Sequence, residues 1–155
     1  MQRRVQRVEL IEIGADGAPK EDVGPLSPVA ADACAKTAAH YATAGFSPPW
    51  ISFLARYNSE LVGICAFTRA PRDGRVEIAY HTFPAFEGRR VATAMVKELL
   101  TRARRVDPDV ELYAHTLTEE NASTAILRNL GFEFVGPLDH PEEGMIWEWR
   151  RKAAT

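Results

Sequence analysis

Hydrophobic positions along the chain switch between two spacings, and the switches mark the elements. Residues 5–13 are rich in apolar β-formers and run into Gly14, Ala15, Asp16 and Gly17, which predicts a strand closed by a turn. Residues 21–28 hold Gly24, Pro25 and Pro28 and read as a loop. Residues 29–43 are alanine-rich with Gly45 just behind them, which predicts a helix, and Pro48 and Pro49 forbid its continuation. Two strand-like runs, 50–57 and 61–67, flank the short polar stretch Asn58, Ser59 and Glu60, as in a hairpin. After a turn at 70–74, a further strand covers 75–83 and stops at Pro84.

The clearest helical pattern is 88–106. Val91, Met95, Leu99 and Ala103 form one stripe, with Ala92, Val96 and Leu100 beside it and Lys97, Thr101, Arg104 and Arg105 away from it. A strand follows at 110–116, then a helix at 118–130 ended by Gly131. Two last strands, 132–135 and 145–150, flank a loop at 136–144. The chain holds no repeat, low-complexity tract or linker. This order predicts one α/β (α+β) domain over 1–155, with a mixed, mostly antiparallel central sheet and helices on both faces.

Composition agrees with a single folded unit: 155 residues, 46% hydrophobic and 26% charged. Nineteen Lys and Arg against 21 Asp and Glu give a formal net charge of −2, which is no general signature of nucleic-acid or anionic-membrane binding. No apolar run approaches the ~20 residues of a membrane helix. The basic start at Arg3, Arg4 and Arg7 leads into a stretch broken by Glu9 and Glu12, so no targeting segment is expected. Cys34 and Cys65 lack metal-type or redox spacing and read as reduced, buried thiols of a cytoplasmic protein. His40, His81, His115 and His140 show no metal-ligand spacing, so no metal is expected.

Chemistry concentrates at the strand-to-helix junction Phe83–Ala94, which holds Gly88, Arg89, Arg90, Val91, Ala92 and Thr93. A helix start leaves N–H groups unpaired and carries positive partial charge, and small residues there let a phosphate approach the backbone. An ordinary connection with a solvated Arg-Arg pair fits the same residues. Neither a dinucleotide GxGxxG nor a P-loop is present. The stretch Glu87-Gly-Arg-Arg90-Val-Ala92 aligns with the pattern [QR]-x-x-G-x-[GA], departing from it at Glu87 and Arg90. The run Glu77-Ile-Ala-Tyr80 precedes it. A later segment places Asn121, Thr124, Leu127, Gly131 and Phe132 in an N-x-x-S…L-x-x-x-G-F register, and the chain closes on Trp147-Glu-Trp149.

Together these segments, from about residue 50 to 150, resemble the GNAT N-acetyltransferase superfamily. The likeness is to its branch of ribosomal-protein N-terminal acetyltransferases (RimJ/RimL-like). The resemblance implies acetyl-CoA as co-substrate, a primary amine as acceptor (a protein N-terminus or a small molecule) and direct attack in a ternary complex. It places the pyrophosphate over residues 88–93 and the pantetheine along the backbone of His81, Thr82 and Phe83. It also puts Asn121 on the pantetheine amides, Leu127 beside the cofactor and Thr124 on the departing thiolate. Family members are often dimers, so a homodimer is one option.

A neutral amine must attack the thioester, so a carboxylate near the acceptor is the natural base. Glu77 is the candidate, against a strand glutamate paired with Arg75. His115, at a strand end, is either an alternative base or a hydrogen-bonding residue. From spacing alone Asn121 equally suits a helix-start cap, and Thr124, without the resemblance, reads as an exposed helical hydroxyl. Asp139, Glu142 and Glu143 form an acidic loop that suits either a cationic amine or solvent. A non-catalytic acyl-CoA-binding module of the same fold is the alternative, and an α/β interaction domain without cofactor is a third reading.

Overall fold

A computed structural model describes residues 4–154. Residues 1–3 and 155 of the expected domain lie outside the described residues. Seven strands form one sheet, in the order β1-β2-β3-β4-β5-β7-β6. The strands are β1 (Glu9–Glu12), β2 (Ser52–Tyr57), β3 (Glu60–Phe67), β4 (Arg75–Thr82), β5 (Glu111–Thr116), β6 (Glu133–His140) and β7 (Gly144–Lys152). The helices are α1 (Pro28–Ala44), α2 (Val91–Val106) and α3 (Ala122–Asn129). All neighbours are antiparallel except β4 and β5, so the expected mixed, mostly antiparallel sheet is present.

Side-chain alternation assigns the faces. A Cβ built on Gly63 would strike the Met95 sulfur of α2 at 3.0 Å, so Gly63, Cys65 and Phe67 of β3 face α2. Their cross-strand partners Thr82, Tyr80 and Ile78 share that face. Through the β4–β5 and β5–β7 pairs it continues to Leu112, Ala114 and Trp149. Arg128 of α3 lies over the Trp149 ring, 4.9 Å from its centroid. Helices α2 and α3 therefore cover one face. The opposite face, with Ile64, Ala66, Glu77, Ala79, His81, Tyr113 and His115, meets α1 and is partly open.

Local chemistry explains the boundaries. Ser27 caps α1 by accepting from the Ala30 N–H, with Pro28 in its first turn. Tyr41 fixes the other end of α1: its hydroxyl donates to the Ile13 carbonyl at 2.8 Å and accepts from the Ser52 N–H at 2.9 Å. Asn58 and Ser59 both take positive φ (48° and 67°), as a two-residue hairpin turn with the right-handed strand twist requires. On α2 the buried stripe is Val91, Met95, Leu99 and Ala103, as the spacing predicts, joined by Ala94, Val96 and Leu100.

Several boundaries differ from expectation. Strand β1 covers four residues instead of nine, because the preceding segment leaves the sheet and Val5 donates its N–H to the Arg89 carbonyl at 2.7 Å. Helix α2 begins at Val91 and α3 at Ala122, each later than the hydrophobic spacing suggests. The expected loop at 136–144 is mostly strand. Gly136 (φ 144°) sits at a register shift in β6, and Pro137 is tolerated because β6 is the sheet edge.

Candidate functional site

Strands β4 and β5 are joined by only three residue pairs: Arg75 with Glu111, Val76 with Leu112, and Glu77 with Tyr113. Beyond Glu77 the two strands separate. Main-chain groups on a strand point alternately to its two edges. The Glu77 carbonyl accepts from the Thr68 N–H and the Phe83 N–H donates to the Val62 carbonyl, so odd-numbered residues of β4 turn toward β3. Tyr80 and Thr82 therefore present their main-chain groups to the opening. This corrects the expected pantetheine edge: Thr82 faces the gap, whereas the main-chain groups of His81 and Phe83 turn toward β3. The Phe83 side chain lies in the core, 1% exposed.

Helices α2 and α3 both start at this opening, where the parallel strands end, the usual place for a ligand in such a layout. The first bond of the α2 turn runs from the Ala94 N–H to the Arg90 carbonyl. The N–H groups of Val91, Ala92 and Thr93 thus precede the helix ladder and have no partner inside it. Val91 contributes through its N–H alone, since its side chain is buried. Gly88 has φ +77°, with nothing within 4 Å of where a Cβ would stand, so the backbone there is open to a ligand. Arg89 stacks over Tyr57 and Phe86 at 5.9 and 5.8 Å from their ring centroids.

Arg90 is a correction to the sequence reading, which placed it inside the first helical turn. It is the N-cap of α2, in the left-handed region at φ 64° and ψ 27°, without a side-chain cap bond. Left-handed backbone is what a glycine at this position provides, so the arginine keeps the loop shape under strain.

At the start of α3, Asn121 and Thr124 form a capping box. The Asn121 side-chain oxygen accepts from the Ser123 and Thr124 N–H groups at 2.9 and 3.2 Å, and the Thr124 hydroxyl oxygen accepts from the Asn121 N–H at 3.0 Å. Thr124 is fully buried, and its hydroxyl proton is directed at Glu120 (2.9 Å) or the Asn121 carbonyl (3.0 Å). It presents no O–H to the opening. Leu127, expected beside the cofactor, is a core residue with 0% exposure.

Where β4 and β5 part, on the face shared with α1, the structure brings together the two residues proposed as bases. Glu77 Oε2 lies 3.4 Å from His115 Nδ1. His115 Nε2 lies 3.0 Å from Glu148 Oε1, and Arg150 donates to Glu148 Oε2 at 2.8 Å from Nε. The Thr68 hydroxyl donates to Glu77 Oε1 at 3.1 Å, and His40 of α1 meets the Thr68 carbonyl. Arg75 pairs with Glu111 at 2.8 Å, so it is not the partner of Glu77. His115 Nδ1 is buried without a hydrogen bond, an orphaned polar atom aimed at a carboxylate. Burial alone would raise the Glu148 carboxyl, but hydrogen bonds from His115 and Arg150 outweigh it and hold the group below its ordinary value. Tyr113 is held above its ordinary value, first by burial and then by the charges of Glu77 and Glu148.

Glu77, Tyr113, His115, Glu148 and Arg150 floor a cavity of about 440 Å³ between the β3–β4 loop and the β6–β7 hairpin, whose walls include Arg69, Arg72, Leu138 and His140. Beside it, a groove of about 520 Å³ runs between α1 and the sheet, lined by Ala33, Lys36, Thr37, Ile64, Ala79 and His81 among others. The acidic loop resolves into the hairpin tip, where His140 Nδ1 accepts from the Glu142 and Glu143 N–H groups. Sequence reasoning missed Glu148, Thr68 and His40. Strand pairing brings in Glu148, cross-strand from His115, and Thr68, whose N–H donates to the Glu77 carbonyl, while His40 arrives with α1; no spacing along the chain connects them to the site. Among the described residues, no group of three or more His, Cys, Asp or Glu is placed to hold a metal ion, and no helix is long and apolar enough to cross a membrane.

The family profile described as an acetyltransferase (GNAT) domain matches residues 9–133. The N-alpha-acetyltransferase RimI of Mycobacterium tuberculosis is 33% identical over 85 residues, covering 53% of this chain and 51% of that protein. The chain thus aligns with about half the length of that curated relative. Among solved structures, apo RimL, a ribosomal L7/L12 alpha-N-protein acetyltransferase, superposes with a TM-score of 0.69 at 14% identity, covering 97% of this chain and 96% of the other. The microcin C7 self-immunity acetyltransferase MccE, in complex with acetyl-CoA and AMP, superposes with a TM-score of 0.62 at 13% identity, covering 80% and 70%.

Proposed function

The chain belongs to the GNAT acetyltransferase family, and from that premise we propose that it moves an acetyl group from acetyl-CoA to a primary amine by direct attack. The observation that carries the reading is the parted β4–β5 edge, with two helix starts at its mouth and the Glu77–His115–Glu148 set where the strands diverge. When bound, acetyl-CoA supplies a thioester whose carbonyl carbon accepts the amine and whose sulfur departs. Thr82 and Tyr80 offer main-chain groups to the pantetheine, as an added strand would. The N–H groups of Val91, Ala92 and Thr93 and the open backbone at Gly88 receive the pyrophosphate.

On the acceptor side, Glu77 takes the proton that the amine must lose to attack. His115 borders Glu77, and Glu148 holds the imidazole from its other nitrogen. Contacts of this kind are commonly long before the reactants are bound, and the 3.4 Å gap at His115 Nδ1 fits that state. The hydroxyl expected of Thr124 is engaged in its helix cap. Tyr113, on the cavity wall and kept protonated, takes over as donor to the departing sulfur. The proposal extends to action in the cytoplasm, on a protein N-terminus or a small amine. RimI, an N-alpha-acetyltransferase, and RimL, an alpha-N-protein acetyltransferase, support the first acceptor class.

The test is stabilisation by CoA followed by turnover with a panel of amines. At 100 times its dissociation constant CoA adds about 2.7 kcal/mol, a rise of roughly 5–11 °C in the thermal midpoint for a chain of this size. Glu77→Gln lowers kcat by about 10²-fold or more. A flat thermal response to millimolar CoA sinks the cofactor assignment. Binding with no turnover of any amine favours the non-catalytic module.

A further inference from the structure

The cavity above Glu77 and His115 has arginines on its walls that the acetyl-transfer reading leaves unused. Two of its four are already paired: Arg75 with Glu111 and Arg150 with Glu148, at 2.8 and 2.6 Å. Arg69 and Arg72, on the loop between β3 and β4, show no ion pair among the described residues. Both also line the same cavity as Tyr113, and their charges oppose the burial and the carboxylates that hold its proton. The nearby carboxylates are occupied on their own side: Glu77 by Thr68 and His115, and Glu148 by His115 and Arg150. Asp73, the remaining acid on the wall, sits at the turn with φ 52° and forms no ion pair among the described residues.

The cavity lining therefore combines a carboxylate–imidazole set, Glu77, His115 and Glu148, with two guanidinium groups, Arg69 and Arg72, that no ion pair engages among the described residues. Its volume of about 440 Å³ suits a small molecule or the first residues of a peptide. We propose that the acceptor carries an anionic group, a carboxylate or a phosphate, alongside its amine, and that Arg69 and Arg72 hold that group while the amine faces Glu77 and His115. This rests on the acetyl-transfer reading and adds the acceptor's chemical class to it. Guanidinium is the side chain suited to such oxygens, because its planar fork makes charge-assisted hydrogen bonds to both geometries. Before the acceptor enters, the two arginines remain solvated at the loop, one half-buried and one exposed.

The experiment uses matched pairs of amines that differ only in the anion: β-alanine against β-alaninamide, and phosphoethanolamine against ethanolamine. Binding is measured by calorimetry on the CoA-loaded protein, and acetylation is measured separately with acetyl-CoA. In at least one pair the anionic member binds about tenfold or more tightly than the neutral one, and that preference weakens at high salt. The pair that shows it tells carboxylate from phosphate. Arg69→Ala and Arg72→Ala each remove most of the preference, and Arg72→Lys retains part of it. Circular dichroism melts confirm that each variant is folded. Equal binding of the two members in both pairs overturns the proposal, as does an anionic preference that survives both alanine variants. Anion-dependent binding without acetylation sustains the guanidinium site and defeats acetyl transfer instead.

Discussion

Arg90 shows how one side chain can be held against its own preference. Left-handed backbone costs an L-residue about 1–2 kcal/mol, and glycine's greater freedom in the unfolded chain takes back part of any relief. Arg90→Gly is therefore expected to stabilise the ligand-free protein by about 0.5–1 kcal/mol, raising the thermal midpoint by roughly 1–4 °C. A lower midpoint would show that the arginine side chain supports the loop by contacts that outweigh the strain. Glu148 gives a prediction with a definite sign. Its folded value is depressed, so its contribution is full above the ordinary 4.5 and is lost as the pH falls through the lower native value. Glu148→Gln should melt below the parent at neutral pH, with the difference closing toward pH 3. A gap constant across that range would mean that the carboxylate charge contributes nothing to stability.

At the scale of the element, Tyr41 ties the end of α1 to the sheet by two hydrogen bonds. Its hydroxyl bridges the Ile13 carbonyl of the segment after β1 and the Ser52 N–H of β2. Tyr41→Phe keeps the ring against Phe46 but leaves both main-chain groups buried and unpaired. A loss of about 1–3 kcal/mol in urea melts is expected, and an unchanged midpoint would show that water reaches the site. The elements themselves were mostly legible in the sequence. The α2 stripe, the Asn58–Ser59 turn and the Gly45 stop each rest on local chemistry that travels with a few residues. What stayed hidden was set by distant partners. Strand β1 is short because Val5 bonds to the α2 loop, and β6 is long because β7 pairs with it past Pro137. The site was half legible for the same reason. Glu77 and His115 could be proposed from motif and strand position, but Glu148 enters only through the β5–β7 register, and the burial of Thr124 and Leu127 depends on how α3 packs.

Across the whole molecule, two parts of one sheet meet through three residue pairs, and the opening beyond them is where the cofactor is proposed to lie. A ligand there bridges both parts, so its binding should slow amide exchange on β4 and on β5 together. Protection confined to one strand would contradict a bridging pose. The N-terminal segment adds a less obvious connection, because Val5 is buried and its N–H holds the Arg89 carbonyl in the loop at the mouth of that opening. The segment at Val5 is thus lashed to the ligand loop, and an affinity tag fused at the front of the chain is not a neutral handle. A preparation tagged at the front should bind CoA more weakly than the same chain tagged at the rear. Titrating both against CoA reads this directly, and matching dissociation constants would show that the tether yields without disturbing the loop.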